Sequence, residues 1–565
     1  MADHFDQKPW LKFYDKHVPS NLTYPEKSYW EIAKEAFTKF PDRAALHYMG
    51  HTFTFKQMDE LSNRFANYLV RNGVKTGEIV GINLPNLPAY YISMLGCQKA
   101  GCVLSGVSPL LTTDELRNQL KDSGTRVLVA LDALIPRWKE AVPGTAVKHV
   151  IATSIGDYLP PLKAKLGKML KKFPTAELEP IEGVTVVPFM QVMRKTPADK
   201  IEVKVGVDDV FAIQYTGGTT GLPKGAEITH RNFVSQITQF TTWTDMQMGN
   251  EVGQTAFPLF HIAGLMVSMS LFANAVPQIA IPNPRDQKMI ISTFKKYKPD
   301  IIGNVPTVYI ELMKLPEFRA LDFSRLKYFA SAAAPFPPEY IKEFEQIVGG
   351  AQLIEVYGLT ETMIITALPR NGQKKPGSAG VPFPDTMIKI VDPATGATLP
   401  FDEPGELIVR GPQVFSKGYY KKPGESANAV RDGWFHTGDI ARMDKEGYVF
   451  IVDRLKDMVN VSGFKVFTRE LDDLIMEHPD VFMGATVGIP DPDRPGNEMV
   501  ATAIVLKPGI EKSDEERARI IEYLRDKLSP YKVPKKLEFM DQLPTSAVGK
   551  VLKRELRTVL NPKAK

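Results

Sequence analysis

Cysteine is nearly missing from this chain: two occur among 565 residues, Cys97 and Cys102 in LGCQKAGCVLS. With no histidine beside them they form neither a zinc set nor a disulfide framework, so both are expected as small buried apolar residues. Also missing is any uncharged apolar run of about 18 residues, which excludes a membrane-spanning helix. The opening MADHFDQKPW is polar and no secretory apolar stretch follows, so the protein is expected to be made and kept in the cytoplasm. Charge of one sign is scarce as well. The 70 Lys and Arg nearly balance 65 Asp and Glu, leaving a formal +5 and no consecutive basic arm. Dedicated nucleic-acid binding is therefore not expected, whereas a small polyanionic ligand is compatible. No internal repeat and no Ser/His/Asp pattern occurs.

What is present is a globular composition, 43% apolar and 24% charged, on a chain too long for one core. At least two domains are expected. GEIVGINLPN (Gly77 to Asn86) and TRVLVAL (Thr125 to Leu131) are short apolar strands with a helix-like stretch between them. The same grammar returns at DVFAIQYTGG, KPDIIGNVP and LKYFASAAAP, which predicts parallel sheets with crossover helices and ligands at the strand ends. From Ile388 the turns come every eight to ten residues, predicting an antiparallel β subdomain that ends with YVFIVDRLKD. Beyond it, ATVGIPDP, MVATAIVLKPG and a helix over Asp514 to Leu528 form an α+β unit, the helix opened by a Ser513/Glu516 capping box.

One segment stands apart. In LPPLKAKLGKMLKKF (Leu159 to Phe173), Leu162, Leu166, Met169, Leu170 and Phe173 recur at helical spacing with five lysines on the other faces. Such a helix either lies on an anionic membrane or packs one face on its own domain.

YTGGTTGLPKG (Tyr215 to Gly225) has the composition of a phosphate cradle: glycine-freed N–H groups, threonine hydroxyls and one ammonium. It fails the Walker spacing, because Lys224 follows proline and precedes glycine. Extended to YTGGTTGLPKGAEITHRN, it resembles the phosphate loop of the adenylate-forming superfamily, and later motifs follow in the same order. VYGLTET (Val356 to Thr362) looks like that family's YGxTE motif, SAAAPFP (Ser331 to Pro337) its adenine loop, and LPTSAVGKVLKREL its PTxxGK motif. WFHTGDIARMDKEGYVFIVDRLKDMVNVSGFKV resembles the signature of fatty acyl-CoA synthetases. The opening KPWLKFYDKHVPSNLTYPEKS is similar to long-chain fatty acid–CoA ligases of bacteria and archaea.

The resemblance implies an α/β fold: a large N-terminal domain, residues 1–453, of two α/β sheets plus a small β subdomain, and a mobile α+β domain, residues 454–565, turning near Lys456. It implies ATP, Mg²⁺ and coenzyme A, and small-molecule partners; peripheral membrane contact and a homodimer stay open. Thr216, Gly217, Gly218, Thr219, Thr220, Gly221 and Lys224 would hold phosphates. Ala333, Ala334, Pro335, Tyr357 and Gly358 would hold adenine, and Asp439 and Arg454 the ribose. Thr360, Glu361 and Lys550 would be catalytic, with Thr220 and Glu361 toward Mg²⁺. His261, Ala263, Gly264, Val356, Ser462 and Gly463 would face the acid and coenzyme A, Ala263 and Gly264 leaving space for a chain. Outside the motif series His261 also reads as a core histidine, Asp439 with Arg454 as a surface ion pair, and SAAAPFP as an ordinary turn.

Two departures from the family pattern occur. Val356 stands where many relatives have glycine, and VFTREL lacks the usual proline before its glutamate, expected to alter only a turn. The implied reaction joins a fatty acid to AMP and then to coenzyme A. Rivals are a medium-chain or aromatic acid ligase, a ligase loading a carrier protein, and a non-catalytic acyl or nucleotide binder.

Overall fold

The computed structural model describes residues 4–160, 176–216, 223–332, 336, 338–350, 352–370, 373–375, 377–462, 464–492, 494, 497–546 and 550–561. Among these, two large sheets carry the first part of the chain. Their parallel cores have the repeated apolar strand and crossover helix read from the sequence. One sheet has seven strands, six of them parallel, and its order places Ile79–Asn83 between Val127–Leu131 and Val103–Gly106. Val210–Thr216 follows Val103–Gly106, and Lys224–Thr229 returns antiparallel at the edge.

The second sheet has nine strands. Its parallel centre runs through Gly253–Thr255, Ile301–Asn304, Tyr328–Ser331 and Gln352–Leu359, with Met363–Ala367 and Val381–Pro382 turning back antiparallel. Parallel strands buried on both faces need continuous apolar sequence. IVGIN, VLVAL and IIGN, each buried along its length, supply it. Cys97 and Cys102 are buried in the core beside them, and burial pushes both thiols up, leaving them protonated and inert.

The antiparallel subdomain is a five-stranded sheet built from Met387–Val391, Gly405–Arg410, Val430–Arg431, Trp434–Met443 and Val449–Arg454. One continuous apolar core joins this sheet to both large sheets, from Phe5 to Val449. Residues 459–560 hold two further clusters, one around Leu471, Ile504 and Leu524, the other around Val487, Leu556 and Leu560. These lie on either side of the three-stranded sheet of Val481–Pro490, Glu498–Leu506 and Lys536–Phe539.

The helix expected from Asp514 runs Asp514–Lys527. Ser513 caps it by accepting from the Glu516 N–H (3.1 Å), but only half of the expected box forms. Glu516 turns instead to Arg519 (2.9 Å), because a guanidinium one turn along outcompetes a backbone N–H for a buried carboxylate. No described helix is long and apolar enough to cross a membrane. The amphipathic basic stretch lies outside the described residues from Pro161 onward.

Candidate active site

The site gathers where both large sheets present their strand ends, as open parallel sheets favour. Three turns and one distant loop build it. Thr216 ends one strand and pairs with Lys224 at the start of the next, so the two flank a hairpin connection. Gly217, Gly218, Thr219, Thr220 and Gly221, within that connection, lie outside the described residues, as do Ala333, Ala334, Pro335 and Gly463.

Lys224 is not waiting for an anion. Its ammonium bonds Glu425 (2.5 Å) and lies 5.2 Å from the centre of the Tyr419 ring. Tyr419 donates its hydroxyl to Glu361 (2.7 Å), while the Phe415 N–H donates to the Glu361 carbonyl (2.8 Å). A single strap, residues 415–420, thus fastens the Glu361 turn. The same strap pairs with the Lys224 strand through Glu227 N–H to Gly418 and Tyr420 N–H to Gly225.

Thr360 and Glu361 occupy the turn between Gln352–Leu359 and Met363–Ala367. Glu361 is buried, and that burial raises its carboxyl above the usual range. A hard divalent cation suits such a carboxylate, one oxygen of which is already oriented by a hydroxyl. The residues present therefore fit Mg²⁺ at Glu361. Gly358 serves the hairpin itself: a Cβ there would lie 1.6 Å from the Met363 carbonyl oxygen. Val356 packs against the main core.

On the other side, Asp439 and Arg454 are direct cross-strand partners in one antiparallel register. Arg454 Nε lies 3.2 Å from Asp439, whose second oxygen accepts from the Tyr357 hydroxyl (2.7 Å). Burial, then the Asp439 charge, drives the Tyr357 hydroxyl well above its ordinary range, so it stays a donor.

Lys550 reaches this cluster from the C-terminal unit. Its ammonium is within electrostatic reach of Asp439, Arg454, Asp457 and Lys456, and its field is felt at His261. Although its side chain meets solvent, protein surrounds it, and that desolvation, followed by the Arg454 charge, lowers its pKa to about 8. His261 caps the helix Ile262–Ala273 by accepting from the Ala263 N–H (3.3 Å). Burial, with Lys550 second, holds its pKa down at about 4, leaving a neutral imidazole.

Behind His261 the helix borders a narrow apolar gap of about 10 Å³, the size of a single water, lined by Phe240, Met246, Phe257, Val267, Leu271 and Tyr328. Gly264 does not open toward it: a Cβ there would stand 2.1 Å from the Pro258 carbonyl, so the chain itself fills the space expected behind His261.

Lys456 follows the last strand of the β subdomain, its carbonyl accepting from Arg557 (3.2 Å), which also pairs with Asp457 (2.8 Å). Ser462 accepts from Arg494 (3.2 Å). Thr468 corrects the expectation for VFTREL. Its N–H and hydroxyl both donate to Asp453, and Lys553 donates to its hydroxyl (2.6 Å) and to Asp472 (2.8 Å). A proline would have no N–H to give, so the departure builds a buried network and not merely a turn.

Tyr419, Glu425, Arg557 and Thr468 are contributors that sequence reasoning missed. Tyr419, Glu425 and Arg557 stand in no motif, and Thr468 was seen only as a missing proline in VFTREL; the fold brings each to its partner.

The match with known families agrees with this geometry. The AMP-binding enzyme family corresponds to residues 33–420, and the AMP-binding enzyme C-terminal domain to residues 470–550. The chain belongs to the AMP-binding enzymes. Within that class it is similar to the long-chain-fatty-acid–CoA ligase of Bacillus subtilis (strain 168), with 35% identity over 97% of this chain and 98% of that one. The enzyme of the same name from Escherichia coli O157:H7 is 36% identical over 98% of each chain. Among solved structures, ATP-bound MatB from Rhodopseudomonas palustris superposes with a TM-score of 0.81 at 27% identity, covering 95% of this chain and 100% of that one. Apo MatB superposes over the same coverage with 0.70, at 26% identity.

Proposed function

We infer that this chain is a long-chain fatty acid–CoA ligase that works in two steps. A fatty carboxylate oxygen attacks the α-phosphorus of ATP, breaking the bond to the β-phosphate and releasing pyrophosphate. The thiol of coenzyme A then attacks the acyl carbon, AMP leaves, and the thiol proton is lost. The observation that carries the reading is the convergence of Lys550, from the far end of the chain, on Asp439, Arg454 and His261.

In this reading Asp439 and Arg454 take the ribose hydroxyls, Tyr357 stacks on adenine, and Lys224 with the loop hydroxyls grips the departing phosphates. Lys550 neutralises charge between two anions that otherwise repel. Neutral His261 adds no further charge beside the acid. Glu361, together with Thr220 of the phosphate loop, would hold Mg²⁺, which supplies charge compensation to the phosphates. No covalent protein nucleophile is needed, since positioning and charge neutralisation suffice. The better superposition on the ATP-bound MatB than on its apo form supports an arrangement competent for the first step.

The acyl chain enters along Ile262–Ala273 by parting the apolar side chains beside Val267 and Leu271, the latter roughly 15 Å along the helix from His261, because the gap closed there holds only about 10 Å³. Residues 454–565 act as the mobile domain, turning at Lys456 so that coenzyme A reaches the adenylate past Ser462 and Gly463. The basic stretch Leu159–Phe173 collects acid from an anionic bilayer at the cytoplasmic face. Flotation with liposomes tests that part, and unchanged binding after Lys-to-Glu substitution would remove it.

The test of the whole is activity on palmitate, octanoate and coumarate with and without coenzyme A. Thioester formed fastest from palmitate is expected. Preference for coumarate, or adenylate that never reaches coenzyme A, overturns it. Lys456→Pro should preserve adenylation and slow thioester formation; equal loss of both steps sinks the hinge.

A further inference from the structure

Between Gly405–Arg410 and Trp434–Met443 the antiparallel ladder breaks at one place. Glu406 pairs with Ile440 and Ile408 with His436, so Thr437, Gly438 and Asp439 together stand opposite the single residue Leu407. A bulge re-aims a side chain beside a site, and here the side chain is that of Asp439. It also orphans backbone groups that would have paired across the ladder, and each buried orphan needs a partner. Thr437 donates its hydroxyl to the Leu407 carbonyl (2.7 Å) and accepts from the Asp439 N–H (3.1 Å). The Gly438 N–H donates to Glu406 Oε1 (3.2 Å), and the Gly438 carbonyl accepts from the Leu455 N–H (2.9 Å). Gly438 itself has a φ of 69°, a left-handed conformation that a side chain would strain.

The other oxygen of Glu406 accepts from His436 Nδ1 (2.9 Å), on the residue that precedes the bulge. A carboxylate only accepts, so His436 carries a proton on Nδ1. Glu406 is buried, with one donor on each oxygen, and touches none of the predicted site residues directly. Asp439 is thus fixed from two directions. Arg454 and Tyr357 hold its carboxylate, and Glu406 holds the peptide in front of it.

We propose that Glu406 is a positioning residue for the nucleotide: through the Gly438 N–H it sets the bulge that presents Asp439 to the ribose hydroxyls. His436 keeps the Glu406 side chain turned toward that N–H. The inference rests on the reading that Asp439 accepts from the ribose. Without an acceptor at this place the Gly438 N–H is left unpaired, and the bulge shifts until it finds another, carrying Asp439 with it. An acceptor is what matters, not its charge. Glu406→Gln keeps one oxygen for Gly438 and offers its amide N–H to the other tautomer of His436.

The experiment is titration calorimetry of the full chain with Mg²⁺ and either ATP or 2′,3′-dideoxy-ATP, without fatty acid. Wild type should bind ATP at least about thirtyfold more tightly than the dideoxy analogue, as expected for hydroxyls bonded to a charged acceptor. Glu406→Ala should cut that preference at least about tenfold, chiefly by weakening ATP, whereas Glu406→Gln should keep it within about threefold. Thr437→Val, which unpins the other end of the bulge, should act in the same direction as Glu406→Ala. Retained binding of the dideoxy analogue shows that the variants are folded. Asp439→Ala separates the two levels of the argument. If it leaves the preference intact, the ribose assignment falls and the inference with it. If it abolishes the preference while Glu406→Ala keeps it, the inference alone falls. Parallel weakening of both nucleotides in Glu406→Ala and Thr437→Val, or a Glu406→Gln variant as impaired as Glu406→Ala, also overturns the proposal.

Discussion

The two sides of the cleft are prepared in opposite ways. At the strap, Lys224 is already paired with Glu425 and Glu361 already accepts from Tyr419, so each of these two charges has an internal partner to release. At the Asp439 side, Arg454 and Tyr357 engage Asp439, while Lys550 enters the same space between two cations, Arg454 and Lys456, and two carboxylates, Asp439 and Asp457, with no ion pair of its own among the described residues. One side is closed by substitutes for the ligand; the other holds an unneutralised charge against its own electrostatics. The first arrangement protects buried carboxylates, and the second keeps a cation available for a reaction that creates charge.

Removing the unneutralised charge should have the largest effect. Lys550→Ala is expected to slow adenylation by roughly a hundred- to a thousandfold, as loss of one preorganised donor does. Pyrophosphate exchange measures this, and turnover of a supplied acyl-adenylate by coenzyme A should survive. Because its pKa is lowered to about 8, the ammonium is present below that pH and lost above it. The kcat/KM for exchange should therefore fall as pH rises through 8, and Lys550→Arg should extend the plateau upward. A profile flat to pH 9.5 would refute the assignment.

Next comes the buried network of Thr468 and Asp453. Thr468→Pro removes an N–H and a hydroxyl from Asp453, and should cost about 3 kcal/mol of stability by leaving that carboxylate under-bonded. Denaturant melts of the variant check it, with Thr468→Ser recovering most of the loss.

Glu355 gives a smaller, pH-dependent effect. Burial raises its carboxyl from an ordinary 4.5 to about 7, although the Phe336 N–H (3.2 Å) partly compensates. Its contribution to stability is complete below 4.5, is lost progressively as pH rises toward 7, and stays lost above. Glu355→Gln should therefore match wild type at pH 4.5 and exceed it by about 2 kcal/mol at pH 8, read from urea melts. An equal difference at both pH values would contradict this. The smallest effect belongs to the strap. Glu425→Gln frees Lys224 at an exposed pair, and should lower the KM for ATP by less than about threefold.

Asp439 and Arg454 were legible only through the resemblance of one contiguous stretch to a family signature, and strand register brings them together in the fold. The apolar strands were legible directly: burial on both faces leaves its mark residue by residue. Lys224 and Glu425 stand 201 positions apart, and no local spacing encodes a pair that meets through the packing of a third segment. Gly264 misled because a missing side chain looks like free room until the neighbouring backbone is placed. The half-formed cap at Ser513 failed for an energetic reason, since Arg519 offers Glu516 a stronger partner than the backbone does.

Arg557 reaches back 100 residues to grip Asp457 and the Lys456 carbonyl. That clamp has a consequence for the order of folding. The large sheets can condense from contacts within their own span, but the Lys456–Asp457 segment acquires its brace only after the helix Lys553–Leu560 has docked. A nascent chain would therefore carry finished large sheets ahead of a segment still unbraced, and setting that segment is among the last events of its maturation.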